Sequence, residues 1–345
     1  MIADIQKYIP GLILITIIAL FSQLLASFLP DFIGAVFIAI IIGIILNNTL
    51  GINHQVFGPG IKLGLKRLLK LAIILLGGTI SFQQFTEVGL PGLGLILLII
   101  SVAFIFTFKL GNKYNLTLKQ KLLIAAGLSI CGDTAIITIA PLIKADDDDI
   151  FMSICIVTFF GVLAIFIYPL IGLGLNLSDT IFGAWAGTAI SSTSQVVATG
   201  FIYSEAAGQV ATMIKLTRNV LMIPVIVLIG YYYNSRNLVD NDDKFEENSN
   251  GARENEYSLK AIFPNFILGF LALIIINSLG LIPASLGSVI APVSKFLILL
   301  ALSGIGLGVD WTELKKIGGS PFIVGFLVAG SMALISIVLS SILFL

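Results

Sequence analysis

A carboxylate lies in the middle of an apolar segment of the chain. Asp133 follows Gly132 in the sequence SICGDTA, residues 129–135, and apolar residues flank this stretch on both sides. A charge at the centre of a bilayer costs about 2.5–3.5 kcal/mol on insertion scales, so such residues usually face the protein interior and serve its function. Glycine lets the backbone leave a helix, and aspartate caps a helix that restarts. The stretch therefore predicts a broken helix, with Asp133 as a functional residue that faces the protein interior.

Two cations and an amide share one face of another apolar segment. Lys215, Arg218 and Asn219 are separated by three and four residues, which puts them on the same side of a helix. Both cations lie near the middle of a stretch long enough to cross a membrane. Together with Asp133 they would form a site with excess positive charge, which favours an anion. Snorkelling of the long cationic side chains toward the lipid interface is the alternative.

A run of five polar residues interrupts a third apolar segment. Ser191-Ser192-Thr193-Ser194-Gln195 would cover every face of a continuous helix. Either this helix breaks here, or protein and water surround it. Hydrogen bonding between helices is the alternative role.

A fourth apolar segment contains the glycine-rich sequence LSGIGLG, residues 302–308, which predicts a further break. Close packing between helices would explain the same glycines. The candidate substrate-binding residues of all four segments are Ser129, Cys131, Gly132, Thr134, Ser191, Ser192, Thr193, Ser194, Gln195, Lys215, Arg218, Asn219, Ser303, Gly304 and Gly306.

The composition is that of an integral membrane protein. Of 345 residues, 57% are hydrophobic and 11% are charged, whereas soluble domains carry about 25% charged residues. The formal net charge is zero, and no basic domain suggests nucleic acid as a partner. Two cysteines and one histidine are too few for a disulfide framework or a metal cluster. An enzyme is not expected, because no nucleophile is paired with a base.

Hydropathy predicts about 11 transmembrane helices. The spans cover about 9–29, 32–48, 65–82, 90–110, 121–143, 150–173, 181–200, 207–232, 260–280, 289–309 and 320–343. If every span crosses, the loop cations lie on the same side of the membrane as the N-terminus. Lys144 and Lys295 are the two exceptions. The positive-inside rule then predicts a cytoplasmic N-terminus, with the C-terminus and the four aspartates at 146–149 outside.

An odd number of spans suggests one leading helix followed by an inverted repeat of five plus five. The leading helix would occupy residues 1–30, the first repeat (spans 2–6) residues 31–175, and the second (spans 7–11) residues 176–345. The second repeat would contain a mobile hydrophilic linker at 234–258. Spans 5 and 10 hold matching positions, so we expect two crossed, discontinuous helices, interrupted near Gly132 and near Gly304–Gly306.

The chain resembles the bacterial sulfate exporter family over nearly its whole length. The segments that carry the resemblance are GLSICGDTAIITIAPLIKA (127–145), FGAWAGTAISSTSQVVATG (182–200), IKLTRNVLMIPV (214–225) and ALSGIGLGVDWTELKKIGGSP (301–321). The resemblance implies a secondary transporter of the inner membrane, distantly similar to bile-acid and sodium/proton transporters. Many members carry histidine and aspartate in place of Ser191 and Ser192, and a small residue in place of Asp133. Ion coupling is therefore expected to differ in this chain, with Asp133 as the residue that replaces the pair.

The expected function is secondary active transport of a small anion, such as sulfate or a sulfonate, by alternating access about a midplane site. The coupling ion would be Na⁺ or H⁺, and no other cofactor is expected. The alternative is a cation/proton antiporter on the same fold, with Asp133 as the ion carrier. A membrane receptor without transport activity has less support. The expected partners are the anion and the lipid bilayer of the bacterial inner membrane, and a homo-oligomer is left open.

Overall fold

The computed structural model describes residues 6–29, 34–240, 265–309 and 319–344, and the regular secondary structure of these residues is all helical. Residues 241–258 of the predicted linker lie outside the described residues. In chain order the helices are α1 (Ile9–Ala26), α2 (Ala35–Leu50), α3 (Gly58–Leu63), a π-helical turn (Gly64–Leu68), α4 (Leu69–Gly77), α5 (Phe82–Lys113), α6 (Leu118–Ser129), α7 (Asp133–Ile139), α8 (Asp147–Gly174), α9 (Asp179–Ala189), α10 (Thr193–Tyr203), α11 (Glu205–Val220), α12 (Met222–Asp240), α13 (Asn265–Ser278), α14 (Ala284–Leu307) and α15 (Ser320–Leu343).

Six of the described helical segments are long and apolar enough to cross a membrane. They are α1, α5, α8, α11 with the first part of α12, α14 and α15, while α2 and α13 are shorter apolar helices. Large apolar side chains such as Leu170, Leu228 and Leu334 are about two-thirds exposed on their outer faces. Apolar outer faces and helices that satisfy their own backbone groups are what a bilayer requires. The prediction of an all-helical membrane protein is confirmed for the described residues.

The fifth predicted span is a hairpin that does not cross the molecule. Its two helices, α6 and α7, are separated by residues 130–132. At the base of the hairpin, Lys119 Nζ lies 3.3 Å from Asp146 Oδ2, and Gln120 Nε2 donates a hydrogen bond of 2.8 Å to Asp149 Oδ1. Because the first turn of α6 is in contact with residues that follow α7, this segment enters and leaves at the same end of the molecule. We call it hairpin 1 (residues 118–139).

The seventh predicted span is a second hairpin, here called hairpin 2 (residues 179–203). Its helices α9 and α10 are separated by residues 190–192. Ser204 Oγ donates a hydrogen bond of 2.6 Å to Asp179 Oδ1, and the Tyr203 hydroxyl donates to the carbonyl of Leu177. Helix α8 connects the bases of the two hairpins, and its 28 residues span roughly 42 Å. The hairpins therefore enter from opposite ends of the molecule.

The two hairpins correct the predicted topology. A hairpin in place of span 5 reverses the direction of span 6, and a hairpin in place of span 7 restores the direction of the spans that follow. The prediction that spans 5 and 7 cross was wrong. The prediction that the aspartates at 146–149 lie on the side opposite Lys119 was also wrong, since Asp146 contacts Lys119. In the corrected topology Lys144 also lies on the side of the N-terminus. Only one of the two predicted exceptions among the loop cations, Lys295, then remains.

The predicted break in span 10 is wrong, because α14 is continuous from Ala284 to Leu307. A Cβ atom added at Gly306 would lie 2.1 Å from the carbonyl oxygen of Ile40 on α2, and one at Gly43 would lie 2.9 Å from the Cα of Gly306. The glycines thus let two helix backbones approach closely, which was the alternative interpretation. The second broken segment is span 7, so the predicted pairing of spans 5 and 10 was wrong as well.

The helices form two bundles. In the first, which we call the scaffold bundle, α14 packs against α1, α2 and α4, and α13 packs against α4. In the second, the hairpin bundle, α11 packs against both arms of hairpin 2, while α5, α8 and α15 surround the two hairpins. Helix α10 touches α2 and α14, so hairpin 2 lies at the boundary between the bundles.

Candidate functional site

The tips of the two hairpins meet near the middle of the molecule. Ser191 Oγ in hairpin 2 donates a hydrogen bond of 3.1 Å to the carbonyl oxygen of Leu128 in hairpin 1. Just after the tip, Gln195 Nε2 donates a hydrogen bond of 3.2 Å to the carbonyl oxygen of Thr158, which lies near the midpoint of α8. The meeting point is therefore about equally far from both ends of the molecule.

The turn of hairpin 1 depends on Gly132. Its φ is 72° and its ψ is −130°, a conformation that residues with a Cβ rarely adopt. A Cβ there would also lie 3.4 Å from Val157 Cγ1 and 3.6 Å from the Cα of Ser192. Gly132 occupies the cap position of α7, and Asp133 is the first helical residue without a side-chain capping bond. The suggestion that Asp133 caps α7 was wrong, and its carboxylate is exposed instead.

Lys215 lies behind the tips and binds backbone carbonyls of both hairpins. Its side chain is fully buried. Its ammonium group donates to the carbonyl of Ile130 at 2.6 Å, to that of Ile190 at 3.4 Å and to that of Ser191. These carbonyls end the first helix of each hairpin, where acceptors lack helical partners and carry negative partial charge. The ammonium group therefore stabilises two broken helix ends at once.

Arg218 performs the same task for hairpin 2. Its guanidinium group, also fully buried, donates to the carbonyl of Thr188 at 2.6 Å and to that of Ile190. A longer hydrogen bond of 3.4 Å reaches the carbonyl of Ser191. Both cations that the sequence places at mid-depth thus bind the protein's own backbone.

A cavity of 470 Å³ lies beside the tips, between the hairpin bundle and the scaffold bundle. Its wall on the hairpin side is polar, and its other wall comes from α4, the π-helical turn, the start of α13 and the end of α14. The predicted site residues that line it are Cys131, Asp133, Thr134, Ser192, Thr193, Ser194, Gln195 and Asn219. The structure therefore brings residues of three distant sequence segments to one surface.

Other predicted residues lie close to this cavity but do not form its wall. Ser129 and Ser191 are buried behind the tips, together with the two cations. In α14, Ser303 is buried and donates to the carbonyl of Leu299 at 2.8 Å. In the same helix, Gly304 packs against Leu65 of the π-helical turn and Gly306 packs against α2. These residues support the wall through packing and backbone hydrogen bonds.

Two cations in the wall were missed by the sequence analysis. Lys66 in the π-helical turn and Lys70 in α4 line the cavity opposite the hairpin tips. Their four-residue spacing within a predicted span was the available signal. Lys70 Nζ also lies 5.6 Å from the centroid of the Phe266 ring. Against these two positive charges, the described wall contributes one carboxylate, that of Asp133.

The start of α10 adds hydrogen-bond donors to the same surface. Ser192 precedes the helix without a side-chain capping bond, and Thr193 and Ser194 form its first turn and line the cavity. The first N–H groups of a helix lack helical acceptors and favour negative charge. Asn219 Nδ2 donates to Thr193 Oγ1 at 3.3 Å, while its buried Oδ1 has no partner. The wall thus offers amide, hydroxyl and ammonium donors.

Comparison with known proteins places this architecture in a family. Residues 10–325 match the family described as Conserved hypothetical protein 698. The chain belongs to this family. It is 34% identical to a UPF0324 membrane protein of Clostridium tetani over 333 residues, 96% of each chain. It is 35% identical to the UPF0324 membrane protein SAG1125 of Streptococcus agalactiae over 349 residues, 98% of each chain.

A third relative, the UPF0324 membrane protein FN0533 of Fusobacterium nucleatum, is 35% identical over 96% of this chain and 97% of its own length. All three relatives are bacterial and are described as membrane proteins. This member of the Conserved hypothetical protein 698 family is therefore a bacterial multi-pass membrane protein, as the sequence predicts. The names of these relatives mention no substrate.

Proposed function

We propose that the protein is a secondary active transporter of a small anion, and that the cavity at the hairpin tips is its substrate site. The observation that carries this proposal is the meeting of two opposed hairpins at mid-depth beside a polar cavity. Irregular backbone at membrane depth is tolerated where protein buries it or where it lines a water-filled cavity. Broken helices at the midplane form the substrate sites of many secondary transporters.

The donors around the cavity support an anion as the substrate. The open N-terminus of α10, the hydroxyls of Thr134 and Thr193 and the ammonium groups of Lys66 and Lys70 all favour negatively charged oxygen atoms. Sulfate and organic sulfonates present several such atoms and agree with the family resemblance of the sequence. The single carboxylate, Asp133, balances part of the positive charge and is the proposed carrier of the coupling ion, Na⁺ or H⁺.

The position of the cavity suggests how access alternates. It lies between the scaffold bundle and the hairpin bundle, so movement of one bundle against the other would open it to each side of the membrane in turn. The tips themselves are held together by Lys215 and by the bond from Ser191 to Leu128. We propose that both hairpins move together.

The corrected topology also supports a cytoplasmic N-terminus. Lys119, Asp146 and the base of hairpin 1 lie on the N-terminal side, and most of the cations near helix ends in the described residues lie with them. On the opposite side, Lys295 Nζ lies 2.6 Å from Glu205 Oε2 at the start of α11. Since positive residues favour the cytoplasmic side, we propose that the base of hairpin 2 and the C-terminus face outward.

Counterflow in proteoliposomes tests the proposed function. Vesicles loaded with unlabelled sulfate should take up radiolabelled sulfate, and methanesulfonate should compete for this uptake. Thr193→Val, which removes one hydroxyl from the cavity wall, should weaken the uptake. Thr49→Val, at an exposed position near the end of α2, is the matched control. Failure of sulfate, methanesulfonate and small carboxylates to exchange would contradict the proposal.

A cation/proton antiporter is the second candidate, and the exposed carboxylate of Asp133 favours it. Among the described residues of the cavity wall it is the one anionic group, and the buried cations Lys215 and Arg218 are bound to carbonyls instead. A pH-sensitive dye in the same vesicles distinguishes the two functions. Proton movement driven by a sodium gradient, without any anion flux, would establish the antiporter.

A further inference from the structure

The surroundings of the Lys215 ammonium group have the chemistry of a site for a monovalent cation. Three backbone carbonyl oxygens face it, from Ile130, Ile190 and Ser191. They come from the C-terminal ends of two half-helices that approach from opposite sides of the molecule. We call this group of three carbonyls the carbonyl cage. Its polarity is opposite to that of the cavity wall, where an open helix N-terminus favours anions.

Carbonyl cages of this kind bind alkali ions in other membrane proteins. In secondary transporters with broken helices, unwound carbonyls and the C-terminal ends of half-helices coordinate Na⁺. In potassium channels, rings of backbone carbonyls replace the hydration shell of the ion. An ammonium group carries the same single charge, and its three N–H donors match three carbonyl acceptors. Lys215 therefore meets the electrostatic requirement of the cage with a group that is covalently attached to the chain.

We infer that the carbonyl cage is a monovalent-cation site that this chain fills permanently with the ammonium group of Lys215. The cage consequently needs no Na⁺ to hold the hairpin tips together. For anion transport, the inference rests on the proposed function. It then means that turnover does not require Na⁺ at this position. Any coupling ion then acts elsewhere, and Asp133 in the cavity is the available group.

The neighbours of the cage define what an emptied site would offer. Arg218 binds the carbonyls of Thr188 and Ile190 at short range, so it continues to satisfy part of the tip of hairpin 2. Without the lysine, the carbonyl oxygens of Ile130 and Ser191 would lose their closest donor. The space left by the removed side chain would be lined by acceptors from both hairpins, and a small cation could enter it.

Thermal unfolding of purified variants in matched salts tests this inference. Lys215→Ala empties the cage, and Lys215→Met fills the space without a charge. Lys295→Ala, at a half-exposed lysine outside the cage, is the control. Each protein is unfolded in NaCl, KCl, LiCl and choline chloride at equal ionic strength. Lys215→Ala should have a lowered Tm in choline and a saturable rise of about 5 °C in the alkali salt that fits best, at 100-fold excess over its Kd.

The Tm values of Lys215→Met and Lys295→Ala should not show the rise in alkali salts that is expected for Lys215→Ala. Lys215→Met should lose stability without recovery in any salt, and Lys295→Ala should behave as the unchanged protein. A response of Lys215→Ala to alkali ions no larger than that of the unchanged protein would overturn the inference. Aggregation of Lys215→Ala in every alkali salt would do so too, since the emptied cage would then take no cation. Because no anion is used, the result is separable from the counterflow test of the proposed function.

Discussion

The hydroxyl of Ser191 donates a hydrogen bond of 3.1 Å to the carbonyl oxygen of Leu128, and it thereby joins the tips of two hairpins that enter from opposite ends of the molecule. Lys215 reinforces this connection, because its ammonium group binds carbonyls of both tips. Helix α11, which carries the lysine, begins directly after hairpin 2. The two hairpins and α11 are thus linked at mid-depth by backbone acceptors that have few alternative donors in an apolar interior.

The hairpin topology predicts which loops face the same side of the membrane. We expect cysteines at Lys113→Cys and Asp148→Cys to react with a membrane-impermeant maleimide from one side, and Leu175→Cys to react from the other. The reason is that Lys119 and Asp146 are in contact, whereas α8 carries the chain to the opposite end. Labelling in right-side-out and inside-out vesicles measures this, in a background where the native Cys131 and Cys155 are replaced. Labelling of positions 113 and 148 from different sides would show that span 5 crosses the membrane and is not a hairpin.

Replacement of Gly132 by alanine should destabilise the protein by about 1–3 kcal/mol, the usual cost of holding a residue in a sparsely populated backbone region. The positive φ of 72° is the main cause, and the added methyl group would also press on Val157 at 3.4 Å. Thermal or denaturant unfolding in detergent measures the loss. Gly94→Ala is the control, because a Cβ on this residue of α5 meets nothing within 4 Å. Equal stability of the two variants would show that the turn of hairpin 1 does not require glycine.

The sequence predicts the break of hairpin 1 correctly, but it cannot distinguish a hairpin from a crossing helix. Glycine and aspartate in an apolar segment indicate the interruption that the structure shows at residues 130–132. The two half-helices together are about as long as one crossing helix, so hydropathy is the same for both topologies. The direction after the break is decided by contacts such as that of Lys119 with Asp146, 27 positions later. No local pattern encodes that pairing.

For the candidate site residues, too, the sequence predicts the position of a side chain but not its partners. Spacing correctly indicates that Lys215 and Arg218 share a buried face of one helix, but it does not name their partners. Those partners are carbonyl oxygens of Ile130, Thr188 and Ile190, which become acceptors only because two other segments break. The glycines of span 10 are equally ambiguous in sequence. They serve close packing here, because α2 presents Gly43 opposite Gly306.

Replacement of Arg218 by alanine should lower stability while leaving anion binding in place. Removal of the guanidinium leaves the buried carbonyl of Thr188 without this donor and that of Ile190 with only the long 3.4 Å bond from Lys215. The expected cost is about 1–3 kcal/mol for a buried unsatisfied group. Arg67→Ala, at an exposed position, should have almost no effect on stability. Unfolding curves with and without sulfate measure both quantities. A variant of normal stability that no longer responds to sulfate would place Arg218 in the substrate site instead.

Replacement of both cavity lysines by glutamine should weaken anion binding by about tenfold. Lys66 and Lys70 are solvent-exposed in the cavity wall, so their attraction for an anion is reduced by screening and should fall further as ionic strength rises. Titration of sulfate-dependent stabilisation at low and high ionic strength measures both effects. Lys62→Gln, one turn away and outside this cavity, is the control. An unchanged Kd for sulfate in the double variant would show that the cavity wall formed by the scaffold bundle does not contribute to anion binding.

Replacement of Asp133 by asparagine separates charge from shape in the cavity. Asparagine has nearly the same size, and no capping bond is lost, because Gly132 and not Asp133 occupies the cap position of α7. We therefore expect Asp133→Asn to fold normally and to bind the anion at least as tightly, since a like charge leaves the site. Transport should lose its dependence on pH, or on sodium if that ion is the coupling partner. Asp148→Asn, at an exposed position outside the cavity, is the matched control. Counterflow measured across pH 5.5–8.5 and across sodium concentrations decides the matter, and an ion dependence identical to that of the unchanged protein would exclude Asp133 as the coupling residue.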